Sequence, residues 1–311
     1  MSPEPKCLCS AAFTAKTGLL QTVANHRKQV HRKLRNRRPL LGLPLHAAYC
    51  ELSGEYFFEQ VASIRYALSL RTLALQQDIA PPDCSQSEFQ GVVFASSSCP
   101  SKNTTQLECV RSEVDCLDET NPGRWMIHGD TGPSVADVSH FIRHHGAGNV
   151  LWFVGHGGPA RDSIPCGRGR SLTVSRPALL LKDGALSDAR MVAEGFDFRG
   201  VDLVNLSCCV LGSLNVPDTN VEIEGFLATM TLLGCRRVTS ALWPLADKAA
   251  AEFAGHFIRA LNRTALNSSG VWTPHAFALA LKDAVQSFRS SHDGYFDHEC
   301  YWAPYTLYGL G

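Results

Sequence analysis

Residues 149–158 read NVLWFVGHGG and residues 201–212 read VDLVNLSCCVLG, and the fold is decided by these two stretches. Each begins with a short run that is almost unbroken in hydrophobicity and rich in β-branched and aromatic residues. A strand with one wet face would alternate; an unbroken run marks a strand covered on both faces. The segments RVTSAL (237–242) and PYTLY (304–308) have the same character, and 64–70 and 91–95 are weaker candidates. Between them the apolar spacing changes. In 247–262, Ala250, Phe253, Ala254, Phe257, Ile258 and Leu261 repeat with the helical period, with Asp247 as N-cap just after Pro244. Phe277, Leu281, Ala284, Val285 and Phe288 do the same in 274–288, and a third helix over 223–233 stops at Gly234. Strands alternating with helices predict an α/β protein whose central sheet is mostly parallel, with helices on both faces. The loop-rich region 97–133 gives no clear period.

The chain has 311 residues, 29 basic and 29 acidic, and 45% hydrophobic residues, enough apolar material for a large interior. This composition excludes a disordered chain, a coiled coil and a collagen-like repeat. No apolar stretch is long enough for a membrane helix, and MSPEPKCLCSAAF lacks the basic start and apolar core of a secretory signal, so a cytoplasmic protein without a membrane partner is expected. The charge is polarised. Residues 1–40 hold nine Lys/Arg and one acid, Glu4, leaving 20 basic against 28 acidic residues in 41–311. Two readings fit HRKQVHRKLRNRR (26–38): a contact for nucleic acid or an acidic partner, or a solvated helix over a thin stripe of Leu20, Val23, Val30 and Leu34. An acidic body without an aromatic-interleaved basic groove argues against dedicated nucleic-acid binding. Residues 1–40 thus read as a basic N-terminal segment, helical or flexible, closed by Pro39, and 41–311 as the folded domain.

Twelve cysteines contain no C-x-x-C spacing, so no zinc knuckle or other metal site is expected, and in a reducing compartment most are small buried hydrophobes. The sequence has no G-x-S-x-G elbow, P-loop, G-x-G-x-x-G or H-E-x-x-H, and no cofactor is implied. GRGR (167–170) is too polar for a phosphate loop, and Glu222 and Glu224 suit a helix start better than acid–base work. Ligand chemistry in open α/β sheets gathers at the carboxyl ends of strands. Two such ends stand out here: Gly155-His156-Gly157-Gly158 and Ser207-Cys208-Cys209. Each alone has a bland reading, as a turn with an incidental His and as a packing Cys. Together they fit a thiol nucleophile activated by an imidazole, with glycines letting a substrate approach the backbone.

The ordered set VGHGG (154–158), LVNLSCCVLG (203–212), EGFLATMTLLGCRRVTSALWPLAD (224–247) and YWAPYTLYG (301–309) resembles the CHAT domain, a branch of the caspase-like cysteine peptidases related to caspases, separases and gingipains. PLHAA (44–48) and YALSLRTL (66–73) resemble its N-terminal half, so the likeness covers roughly 40–311. It implies a caspase-like fold and a Cys–His dyad in which His156 matches the family histidine and Cys209 the nucleophile. The backbone N–H groups of Gly157 and Cys209 would form the oxyanion hole, and Trp243 and Asp247 are substrate-pocket candidates. The sequence departs from the pattern at Cys208, where alanine is usual, at Val210 and Leu211, where polar residues are common, and at Ala246, where W-P-V-D-D has its first acid. The implied function is an endopeptidase that cleaves a specific protein substrate and is activated by a protein partner. The alternative is a catalytically silent CHAT domain serving as an interaction module. The turn-rich segment 213–221 is expected to border the cleft and to be ordered by partner or substrate.

Overall fold

A computed structural model describes residues 44–68, 70–77, 91–129, 132–144, 150–165, 170–208, 211, 225–265 and 276–309. The basic segment 1–40, Cys209, Val210 and the 213–221 segment lie outside the described residues, as do Gly167–Gly169, Glu222 and Glu224.

In chain order, a small hairpin of β1 (Tyr49–Cys50) and β2 (Glu55–Tyr56) leads into α1 (Phe57–Gln60) and α2 (Leu70–Gln77). Then come β3 (Gly91–Ser96), α3 (Val110–Thr120), β4 (Trp125–His128), α4 (Val135–His144) and β5 (Val150–Pro165). β6 (Ser171–Leu181), β7 (Gly184–Ser187), α5 (Asp188–Ala193), β8 (Leu203–Cys208) and α6 (Phe226–Leu232) follow. The chain continues through β9 (Arg237–Ala241), α7 (Asp247–Ala265), α8 (Ala276–Arg289), α9 (Glu299–Trp302) and β10 (Tyr305–Gly309). The central sheet runs β10-β9-β8-β5-β3-β4, and only the β10–β9 pair in that path is antiparallel.

Alternation along β5 explains why its sequence is apolar throughout. Val150, Trp152 and Val154 face one core with Val114 and Leu117 of α3 and much of α7 and α8. Leu151 and Phe153 face a second core with Val138 and Phe141 of α4, Met191 of α5 and Phe226 of α6. The sheet is therefore the middle of three layers, with helices on both faces as the sequence predicts.

Two readings need correction. The segment 64–70 is not a strand; Tyr66 makes one isolated bridge to Tyr308, and helix α2 starts at Leu70. Nor does GHGG form a turn. β5 leaves the parallel sheet after Gly155 and continues to Pro165, pairing antiparallel with β6 from His156↔Leu180 onward. The hinge is Gly155. Its φ of +151° lies where L side chains rarely go, and an added Cβ would sit 2.5 Å from the Ser96 carbonyl oxygen.

Candidate active site

β5 and β8 are adjacent and parallel, with Val154 opposite Ser207 and Gly155 opposite Cys208. His156 thus stands one residue beyond the last position of β5 paired with β8, half-buried, where that strand changes neighbours. Cys209 follows Cys208 directly in the chain, outside the described residues. Gly157, half-buried, lies next to His156 on the same strand, opposite Leu179.

His156 is held from one side. Its Nε2–H donates to the Thr105 carbonyl oxygen at 2.7 Å. A carbonyl only accepts, so that bond puts the proton of the neutral ring on Nε2 and leaves Nδ1 as the free basic nitrogen. The loop carrying Thr105 is pinned at both ends: Cys99 N–H donates to Thr104 Oγ1 at 2.6 Å, and Leu107 N–H to Ser97 O at 2.8 Å. Thr105 acts through its backbone, so no side-chain signal in the sequence marks it.

Cys208 is 6% exposed and packs in the second core, with Sγ 3.6 Å from the Phe153 carbonyl oxygen. It follows Val204 and Leu206 on that face, which is where alternation places a packing residue. Leu211, apolar where the family pattern is polar, is fully buried in the same core.

Ser207 points the other way, and its partner is the residue that sequence reasoning missed. Its hydroxyl donates to Glu113 Oε2 at 2.9 Å, while Trp152 Nε1–H donates to Oε1 at 2.7 Å. Glu113 is 3% exposed, on the inner face of α3. Burial pushes its carboxyl up to about 8; the bonds from Trp152 and Ser207 oppose that rise, and the nearby Asp247 charge adds to it. The net shift favours the neutral form of the carboxyl. The one signal in the sequence is position: Val110, Val114 and Leu117 mark an apolar stripe, and Glu113 lies on its line.

A pocket of about 480 Å³ of open space lies on this side of the sheet. Gly155, Ser207 and Cys208 form its strand-end wall, and Glu113 and Asp247 are its carboxylates. Asp247 is the first residue of α7, yet it does not cap that helix as expected from sequence. Its Oδ2 accepts the Glu108 and Cys109 N–H groups at 2.7 and 2.8 Å, the amides that lead into α3. Trp243 is absent from the pocket lining; its Nε1–H donates to Cys300 O at 3.0 Å, bracing the turn that presents Leu245 to the pocket. Among the described residues no group of three or more His, Cys, Asp or Glu could hold a metal ion, and no helix is long and apolar enough to cross a membrane.

Comparison with known proteins agrees with this architecture. The family model of the CHAT domain matches residues 23–310. The complex of the pro- and mature domains of Porphyromonas gingivalis RgpB is similar in structure, with a TM-score of 0.51 at 11% identity over 78% of this chain and 52% of that one. The Saccharomyces cerevisiae separase–securin complex gives a TM-score of 0.50 at 13% identity, over 80% of this chain and 14% of that one. The chain thus spans about half of the first relative and a small part of the second. Curated protein sequences give no match.

Proposed function

Because this chain belongs to the CHAT domain family and has a caspase-like fold, we propose that it is a cysteine endopeptidase using Cys209 as nucleophile and His156 as general base and acid. The observation that carries the reading is the held imidazole: His156 is fixed through Nε2 beside the strand that leads into Cys209, with Nδ1 left to take a proton. In this scheme the thiolate of Cys209 attacks a peptide carbonyl, and the N–H groups of Gly157 and Cys209 stabilise the oxyanion. The Nδ1 proton passes to the departing amine, and the Thr105 carbonyl steadies the imidazolium while it exists. Water then hydrolyses the thioester with His156 as base. Asp247 and Trp243 bear on the substrate pocket, one as wall and one as brace.

The substrate is a specific protein, and a protein partner switches the site on. Support for a partner comes from relatives: the separase structure is a complex with securin, and the RgpB structure holds a pro-domain against the mature domain. We place the protein in the cytoplasm, without a membrane or nucleic-acid partner. A cysteine-directed peptide electrophile, applied with and without candidate partners, tests the reading. Labelling that is lost in Cys209→Ala and kept in Cys208→Ala supports it. A chain that binds its partner yet never labels is an interaction module.

A further inference from the structure

The pocket at the ends of β5 and β8 has a composition that selects its occupant. Its lining is mostly apolar: the side chains of Leu107, Val110, Val154 and Leu245 are joined there by Tyr305. Both acidic residues in it are already engaged. Glu113 is bonded to Trp152 and Ser207, and Asp247 is bonded to the two amides leading into α3. The strand-end wall, Gly155, Ser207 and Cys208, consists of the residues that immediately precede His156 and Cys209 in the chain.

We propose that this pocket receives the substrate side chain on the acyl side of the scissile bond, and that it takes an uncharged aliphatic side chain of leucine or methionine size. The inference rests on the peptidase reading and adds its specificity. A guanidinium entering here would meet mostly aliphatic walls and one charged carboxylate, Asp247, whose Oδ2 already accepts two amide N–H groups, so most of its lost water shell would go unreplaced. A carboxylate would meet the same walls and the negative charge of Asp247. An aliphatic side chain has no such cost and removes apolar surface from water. Burial of Glu113, which favours its uncharged form, is consistent with this selection.

The test uses the full chain and a panel of peptidyl chloromethyl ketones, identical except for Leu, Met, Gly, Arg or Asp at the residue bearing the ketone. The readout is the rate of modification of Cys209, followed by peptide mapping. Leu and Met probes are expected to label at least about tenfold faster than Gly, Arg and Asp probes. Ala250, which lines the pocket from α7, provides the variant. Ala250→Phe should fill the space and collapse the Leu-to-Gly ratio toward one, and the smaller Ala250→Val should give an intermediate ratio. Either ratio unchanged from wild type, in a variant that melts like wild type, would show that the pocket is not the subsite. Labelling led by Arg or Asp overturns the specificity and leaves the peptidase reading standing. Labelling of Cys209 by iodoacetamide but by no peptide overturns the peptidase reading, and the subsite with it.

Discussion

Gly155 is the residue on which the site geometry turns. It is the last position of β5 paired in the parallel sheet, and its backbone conformation sets the direction in which His156 leaves. Any side chain there meets both an unfavourable φ and the Ser96 carbonyl at 2.5 Å. Gly155→Ala is expected to cost about 1–3 kcal/mol in chemical denaturation. The same change should loosen the His156–Thr105 bond, so the loss of Cys209 reactivity should exceed what the stability change explains. Sequence reading took the glycines around His156 together, as places where a substrate could approach the backbone. It could not show that the backbone approaching Gly155 is the end of β3, because that contact joins residues 59 positions apart.

At the scale of elements, α3 is the piece that unites the pocket and the sheet. Asp247 of α7 holds the amides at its start, and Glu113 within it ties Trp152 of β5 to Ser207 of β8. Asp247→Ala removes two charge-assisted bonds at one helix end, and a loss of about 1 kcal/mol or more is expected. Native-state hydrogen exchange should show the opening concentrated at Glu108–Glu113 rather than along α7. The sequence missed α3 because VRSEVDCLDET reads as polar, its apolar stripe carrying only Val110, Val114 and Leu117. It missed the β5–β6 hairpin for a related reason. Beyond Gly155 the strand leaves the covered sheet, so the continuous apolar run that made 149–154 legible ends there. The buried helices α7 and α8 show their period plainly because both pack a wide face into the first core.

For the whole molecule, two of the buried titratable groups, His46 and Glu113, pull stability in opposite directions. Burial holds His46 down at about 4, while Glu113 is pushed up to about 8. As pH falls from 6.5 toward 4, the unfolded chain takes up the His46 proton first, so stability is lost on the acid side. As pH rises from 4.5 toward 8, the folded chain keeps the Glu113 proton that the unfolded chain releases, so stability is lost on the alkaline side. Each slope approaches about 1.4 kcal/mol per pH unit, and between 4.5 and 6.5 the two cancel. Urea denaturation across pH should therefore show a decline from about 6.5 to 8 that disappears in Glu113→Gln. In that variant stability should instead rise from pH 4 to 6.5 and then level. A wild-type curve that is flat from 6.5 to 8 would show that Glu113 is already ionised in the folded chain.

The central claim is that His156 and Cys209 work as one unit, and the rate of Cys209 alkylation by iodoacetamide as a function of pH addresses it most directly. In the chain they directly follow Gly155 and Cys208, the last residues paired between the parallel segments of β5 and β8, and the Nε2 bond to Thr105 leaves Nδ1 as the ring's acceptor. A paired imidazole raises the thiolate fraction below neutrality, so wild-type Cys209 should react at pH 6 at least about tenfold faster than Cys209 in His156→Ala. The two proteins should converge in rate well above neutral pH, where the thiolate forms without help. Identical pH profiles for wild type and His156→Ala would contradict the account.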